Sequence, residues 1–222
     1  MTETILSFET PDGAVAVPVT NCVIAGWTGR DAASLQHHID ELAALGIPGP
    51  STVPLYYRCG SGMVSQAESV QVLGGDSSGE VEPVLVATES GMLLTVGSDH
   101  TDRKVEGYSI AVSKQMCPKI LGRHAWPVSL DGSLDTLTLE SRVTIDGIEV
   151  VYQTGTLALI RPLKELVETY GGLKPGTVML CGTVPVEGGI RPADRFAMRL
   201  TDPSSGRAIT HAYDIETLPV VS

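Results

Sequence analysis

The 222-residue sequence predicts a mostly β (α+β) fold, organised as a single domain over residues 1–222 with two short helices. Three observations lead there. Most of the chain alternates apolar and polar residues with a period of two, as half-buried strands do. Its 24 glycines, 14 prolines and frequent Val and Thr suit turns and strands. Only two stretches switch to the 3.6-residue period of a helix.

In chain order, Thr4 to Glu9 and Ala14 to Val19 alternate around Pro11-Asp12-Gly13, which predicts an N-terminal hairpin arm over residues 1–20. Asn21 to Gly26 reads as a third strand. Residues 31–45 then turn helical: Leu35, Ile39, Leu42 and Leu45 share one face, Asp31 is the expected N-cap, and Gly46 with Pro48 ends the helix. From residue 54 the pattern is β again. Strands are expected at Val64–Leu73, Glu80–Ala87, Met92–Val96, Val105–Ser113, 128–139 and 142–151. A second helix fits Pro162–Tyr170, stopped by Gly171-Gly172. Thr177–Leu180, Phe196–Thr201 and Ala208–Ile215 complete the strands.

Charge narrows the function. Fifteen Lys and Arg against 26 Asp and Glu leave a net charge of −11. A nucleic-acid binder would carry a basic stripe and a peripheral membrane protein a basic cluster, so neither partner is expected. No apolar run approaches the ~20 residues that span a bilayer. The acidic start, Met1-Thr-Glu-Thr, does not read as a signal peptide. Cys22, Cys59, Cys117 and Cys181 are scattered and form no Cys-x-x-Cys pair, so they are expected as reduced thiols of a cytoplasmic protein.

Several groups could do chemistry. Glu80 and Glu82 are two apart, which on a strand puts both carboxylates on one face. Such pairs usually lie on a solvated face, but a cation between them would let both ionise. Ser98-Asp-His-Thr-Asp-Arg103 follows a strand and reads either as a functional loop or as a polar turn. Asp99 would complete an all-oxygen site suited to Mg²⁺ rather than zinc, while His100 would fit a mixed site. On the first helix His38 falls inside the apolar stripe with Glu41 at its edge. That pair suits a general base with its orienting partner, or a core histidine satisfied by a carboxylate. Lys114, read as following a strand over Tyr108–Val112, could stabilise an oxyanion or sit on the surface, and Lys119 is its rival. Gly182-Thr183 ends an apolar strand and offers an N–H and a hydroxyl to an anion, or is a plain turn. No Walker loop, nucleophile elbow or dinucleotide fingerprint is present.

The order of these pieces resembles the fumarylacetoacetate hydrolase superfamily over roughly residues 22–200. His38-Ile-Asp-Glu41 resembles its lid segment, Pro54-Leu-Tyr-Tyr57 a Pro-aromatic-aromatic strand, and Glu80-Val-Glu82 its acidic pair. Ser98 to Arg103 is similar to its Asn-Asp-x-Ser-x-Arg-Asp stretch, Ile145 to Gln153 to an Asn-Gly-x-x-x-Gln hairpin, and Leu173 to Pro185 to its closing Thr-Gly-Thr-Pro strand. Trp27-Thr-Gly-Arg30 departs from the usual Asn-Tyr before the lid, and Arg58 stands where lysine is common. The resemblance is to a divergent bacterial branch labelled as a domain of unknown function. It implies a mixed β-roll with a lid helix within residues 27–50, dimeric, acting on small anionic β-diketo or α-keto acids. Glu80, Glu82 and Asp99 would bind Mg²⁺ or Mn²⁺. His38 with Glu41 would activate water. Lys114 would stabilise developing charge, and Tyr57, Arg58, Thr101, Arg103, Gly182 and Thr183 would meet the substrate. The reaction implied is hydrolysis of a carbon–carbon bond. Hydration, decarboxylation, tautomerisation and opening of a cyclic amide or lactone are alternatives on the same metal site, and a non-catalytic ligand-binding β-domain is the alternative without one.

Overall fold

In the computed structural model the described residues are 4–44 and 49–221, without the side chains of residues 34, 38 and 41–44. A hairpin of β1 (Thr4–Thr10) and β2 (Gly13–Val19) opens the chain, followed by β3 (Asn21–Gly26), helix α1 (Ala32–Ala44) and β4 (Leu55–Cys59). Next come β5 (Val64–Ser65), β6 (Ser69–Leu73), β7 (Ser77–Ser78), β8 (Val81–Thr88), β9 (Gly91–Asp99) and β10 (Thr101–Asp102). Helices α2 (Arg103–Glu106) and α3 (Ile110–Met116) lead to β11 (Lys119–Leu121), β12 (Trp126–Val128), β13 (Thr138–Ile145) and β14 (Ile148–Thr156). Helix α4 (Leu163–Tyr170) precedes β15 (Thr177–Leu180), β16 (Arg195–Thr201) and β17 (Ala208–Leu218). Among the described residues no helix is long and apolar enough to cross a membrane.

Among the described residues two large sheets, beside the two-stranded pairs β1-β2 and β7-β10, make the fold. The larger runs β4-β3-β15-β8-β9-β11-β5, with β12 also on β9; the smaller runs β14-β13-β16-β17-β6. Strand alternation decides which core each residue joins. Leu85, Leu94, Val96 and Ile120 of the large sheet share a core with Leu139, Phe196, Leu200 and Tyr213 of the small one. Their neighbours Val84, Val86, Leu93 and Leu121 point the other way and share a second core with Leu6, Phe8, Val17 and Val19 of the N-terminal hairpin. The large sheet is thus buried on both faces, which is why its strands read as continuous apolar runs such as Val84–Ala87 and Val178–Cys181.

The predicted hairpin, α1 and α4 are present at nearly the expected bounds, the last closed by Gly171 at φ 95°. Four expectations need correction. Of the strand expected over 128–139 only the ends are β: Val128 closes β12, Thr138 opens β13, and residues 129–137 between them form no strand. The strand expected over Val105–Ser113 is instead α2 and α3, and Lys114 therefore lies on a helix. Each of these helices has a side-chain cap: Asp102 accepts from the Val105 N–H at 2.9 Å and Ser109 from that of Val112 at 3.4 Å. Capping fixes a helix start more firmly than short-range alternation fixes a strand. The strand expected over 142–151 contains a hairpin turn, since Asp146 and Gly147 both take positive φ (51° and 78°) and pair Ile145 with Ile148. The run 64–73 splits into β5 and β6, which pair with β11 and β17 and so belong to different sheets.

Candidate metal centre

The register of β8 and β9 builds the site. Val81 lies opposite Ser98 and Glu82 opposite Gly97, while the Asp99 N–H donates to the Glu80 carbonyl at 3.0 Å. Glu80, Glu82 and Asp99 therefore share the face of the sheet that carries the N-terminal hairpin. Ligand oxygens of the three carboxylates lie within 4.8 Å of one another. Lys119, two residues from Leu121 on β11, projects onto the same face.

Four carboxylates meet three cations here. Lys114 Nζ is 2.7 Å from Asp99 Oδ2, 3.6 Å from Glu80 and 3.5 Å from Glu106. Lys119 Nζ is 2.8 Å from Asp99 Oδ1 and donates to the His100 carbonyl at 2.6 Å. Arg103 reaches Glu106 at 2.9 Å and Glu80 at 3.4 Å, and its Nε donates to Ser78 at 2.7 Å. Burial drives the Asp99 carboxyl up, but Lys114 and Lys119 overrule it and hold it well below the usual carboxylate range. Among the described residues no cation lies within ion-pair distance of Glu82, though Lys114 favours its charged form from farther away. Burial, then Asp99 and Glu80, push its carboxyl well above the ordinary value, opposed by the Gly182 N–H that donates to its Oε2 at 2.7 Å.

The donor set fits a hard divalent cation. All three groups offer oxygen, as Mg²⁺ and Mn²⁺ prefer. Asp99 Oδ2 is buried, and its close partner is the Lys114 ammonium at 2.7 Å. An added positive charge beside Glu82 would offset the burial that disfavours its carboxylate.

Other predicted residues fall around this cluster. Thr101 is buried, donates to the Asp99 carbonyl at 3.1 Å and lies 3.3 Å from Lys114 Nζ. Tyr57 shares the cluster's face of the sheet, and its hydroxyl accepts from Trp27 Nε1 at 3.1 Å. Arg58, its neighbour on β4, is exposed and by alternation points to the opposite face. Gly182 holds Glu82 through its N–H at φ 103°, and a Cβ there would stand 1.8 Å from Thr28 Oγ1, so only glycine fits. The Thr183 hydroxyl donates to the Val81 carbonyl at 2.8 Å and accepts from Gln153 Nε2 at 2.7 Å, which fixes the loop. His38 and Glu41 lie on α1, but their side chains are outside the described residues.

Sequence reasoning missed the roles of Glu106 and Gln153, and its mixed-site alternative for His100 needs correction. Glu106 completes the charge cluster from α2, in a segment read as a strand. Gln153 receives the Val81 N–H at 2.9 Å and ties the Gly182 loop to β8. His100 belongs to neither metal nor cation: its Nδ1 lies 2.8 Å from the Tyr213 hydroxyl and its Nε2 2.9 Å from Ser77 Oγ. Burial, Lys119 and Arg103 lower its pKa to about 3. Trp27-Thr-Gly-Arg30, the departure before α1, has a structural role: Arg30 forms a bidentate pair with Asp135 at 2.7 Å and donates to the Ile160 carbonyl at 2.7 Å.

The sequence matches the family described as Protein of unknown function (DUF2848) over residues 25–213. The chain belongs to that family. No curated protein matches it. Its fold is that of the fumarylacetoacetate hydrolases. A candidate fumarylacetoacetate isomerase/hydrolase from Oleispira antarctica superimposes with a TM-score of 0.69 at 17% identity, covering 98% of this chain and 100% of that one. A fumarylpyruvate hydrolase from Pseudomonas aeruginosa in complex with Mn²⁺ and pyruvate gives 0.65 at 14% identity, covering 99% and 98%. A 5-carboxymethyl-2-hydroxymuconate delta-isomerase from Mycobacterium smegmatis gives 0.61 at 16%, covering 96% and 99%. The resemblance read from the sequence thus holds for the fold, and the DUF2848 model covers most of the chain that carried it.

Proposed function

We propose that this DUF2848 protein is a Mg²⁺- or Mn²⁺-dependent hydrolase that cleaves a carbon–carbon bond in an acylpyruvate or related β-diketo acid. The observation that carries the reading is the convergence of Glu80, Glu82 and Asp99, whose ligand oxygens lie within 4.8 Å of one another, on a fold shared with a Mn²⁺- and pyruvate-bound fumarylpyruvate hydrolase. Glu80, Glu82 and Asp99 would hold the ion, which when bound supplies Lewis-acid polarisation of the substrate's oxygens.

The chain's own groups do the rest. His38, oriented by Glu41, takes a proton from water, and the hydroxide adds to the carbonyl carbon remote from the acid. Lys114 donates to the oxyanion that develops there. The carbon–carbon bond then breaks, its electron pair passing to the keto-acid fragment as an enolate, which is protonated on carbon. The net charge of −11 repels an anionic substrate, so the local cations must attract it.

The delta-isomerase neighbour favours a second reading, in which the same site moves a proton on a keto acid without cleaving it. Assaying fumarylpyruvate and simpler acylpyruvates with Mn²⁺ for pyruvate release, beside oxaloacetate for decarboxylation, tests the proposal. Release of pyruvate from an acylpyruvate is expected. Turnover confined to isomerisation or to oxaloacetate would overturn carbon–carbon hydrolysis.

A further inference from the structure

The carboxylates that would bind a divalent ion already hold a cation of the chain's own. Lys114 Nζ is 2.7 Å from Asp99 Oδ2 and 3.6 Å from Glu80 Oε2. An ion ligated by those carboxylates and the Lys114 ammonium would need the same space and the same charge. The two lysines on Asp99 differ in how firmly they are placed. Lys119 is fully buried on a sheet strand and anchored to the His100 carbonyl. Lys114 stands on the seven-residue helix α3 and has a second acidic partner at hand, Glu106, 3.5 Å away and more exposed than Asp99 (27% against 1%).

Charge balance selects which of them moves. Four carboxylates face three cations, so the cluster is nearly neutralised before any metal arrives. Adding two positive charges while every cation stays in place would leave an excess of like charge in a poorly solvated pocket, which is costly. Arg103 is held by Ser78 and two glutamates, and Lys119 by its carbonyl. Lys114 has a long flexible stem and an alternative anion.

We propose that Lys114 is a placeholder cation: without metal its ammonium occupies the divalent-ion position between Asp99 and Glu80, and metal binding shifts it onto Glu106. This rests on the metal site of the proposed function. The exchange sets the metal affinity, because the ion must displace a bound charge rather than fill a vacant anionic cage.

Binding of Mn²⁺ alone to the full chain, followed by the loss of the free-ion electron paramagnetic resonance signal, tests it. Lys114→Met is expected to tighten the dissociation constant at least tenfold, whereas Lys114→Arg, which keeps a cation over the acids, leaves it no tighter than wild type. Equal affinity in wild type and Lys114→Met overturns the placeholder while leaving the metal site intact. Absence of Mn²⁺ binding in all three proteins overturns the metal site itself and the placeholder with it. A measurement on wild type guards against a Lys114→Met chain that does not fold. Acylation of Lys114 by an amine reagent, read by peptide mass spectrometry, should rise at least threefold when Mn²⁺ is added, with Lys119 remaining protected. Unchanged or reduced labelling of Lys114 overturns the shift.

Discussion

The backbone N–H of Gly182 donates to Glu82 Oε2 at 2.7 Å, and the same glycine packs against Thr28 so closely that an added Cβ would stand 1.8 Å from its hydroxyl oxygen. One residue thus joins the acidic cluster to the segment that leads into α1.

Gly182→Ala should therefore damage both stability and site. A side chain at φ 103° is strained whatever space is available, and here there is none. The expected loss is at least about 2 kcal/mol, with weaker Mn²⁺ binding in whatever protein folds. Urea unfolding and a metal titration measure the two, and a wild-type midpoint would contradict the close contact.

Glu82→Gln separates ligation from folding. The amide oxygen can still accept from Gly182, and a neutral group avoids the burial that disfavours the Glu82 carboxylate. Metal-free stability should stay at or above that of wild type, while Mn²⁺ affinity falls by at least about 100-fold, at the strong end of what metal-site substitutions cost. Thermal melts with and without Mn²⁺ show this directly, since a ligand at about 100 times its dissociation constant adds roughly 2.7 kcal/mol to the wild type.

His38→Ala tests the general base. Its expected effect is a fall in kcat of about 10²–10⁴ with little change in Mn²⁺ affinity. If kcat survives, water is activated by another group.

His100 should make the protein acid-sensitive. Its folded pKa of about 3 lies below the ordinary value of 6.5, so between these limits the unfolded chain binds the extra proton. The stabilisation is fully present above pH 6.5 and is lost as pH falls towards 3, at up to about 1.4 kcal/mol per pH unit from this group. His100→Gln should flatten that part of the stability profile measured by urea unfolding between pH 7 and pH 4. An unchanged slope would assign the acid sensitivity elsewhere.

The hairpin, the strands β3, β8, β9 and β15 of the large sheet and the Glu-x-Glu pair were legible because each is a local pattern: alternation, a turn dipeptide, a two-residue spacing. The convergence of Asp99 with that pair was legible only through the order of motifs, since it depends on the β8–β9 register. What escaped was the segment from Asp102 to Met116. Its short apolar alternation imitates a strand, and the decisive signals were the two caps, Asp102 and Ser109, each three residues before the N–H it receives. Reading those caps would have put Lys114 on a helix and brought Glu106 beside it. The roles of Lys119 and His100 needed the fold itself, because strand alternation sends neighbouring residues to different cores: Asp99 faces the acids, while Ser98 meets the Tyr213 hydroxyl at 2.8 Å between the sheets.

The acids at positions 80, 82 and 99 are set by a sheet packed on both sides, whereas the ammonium opposing them rides on a short capped helix at its edge. Under the proposed exchange, variation confined to α3, one cap or one turn at a time, would retune metal affinity without touching the framework that holds the acids.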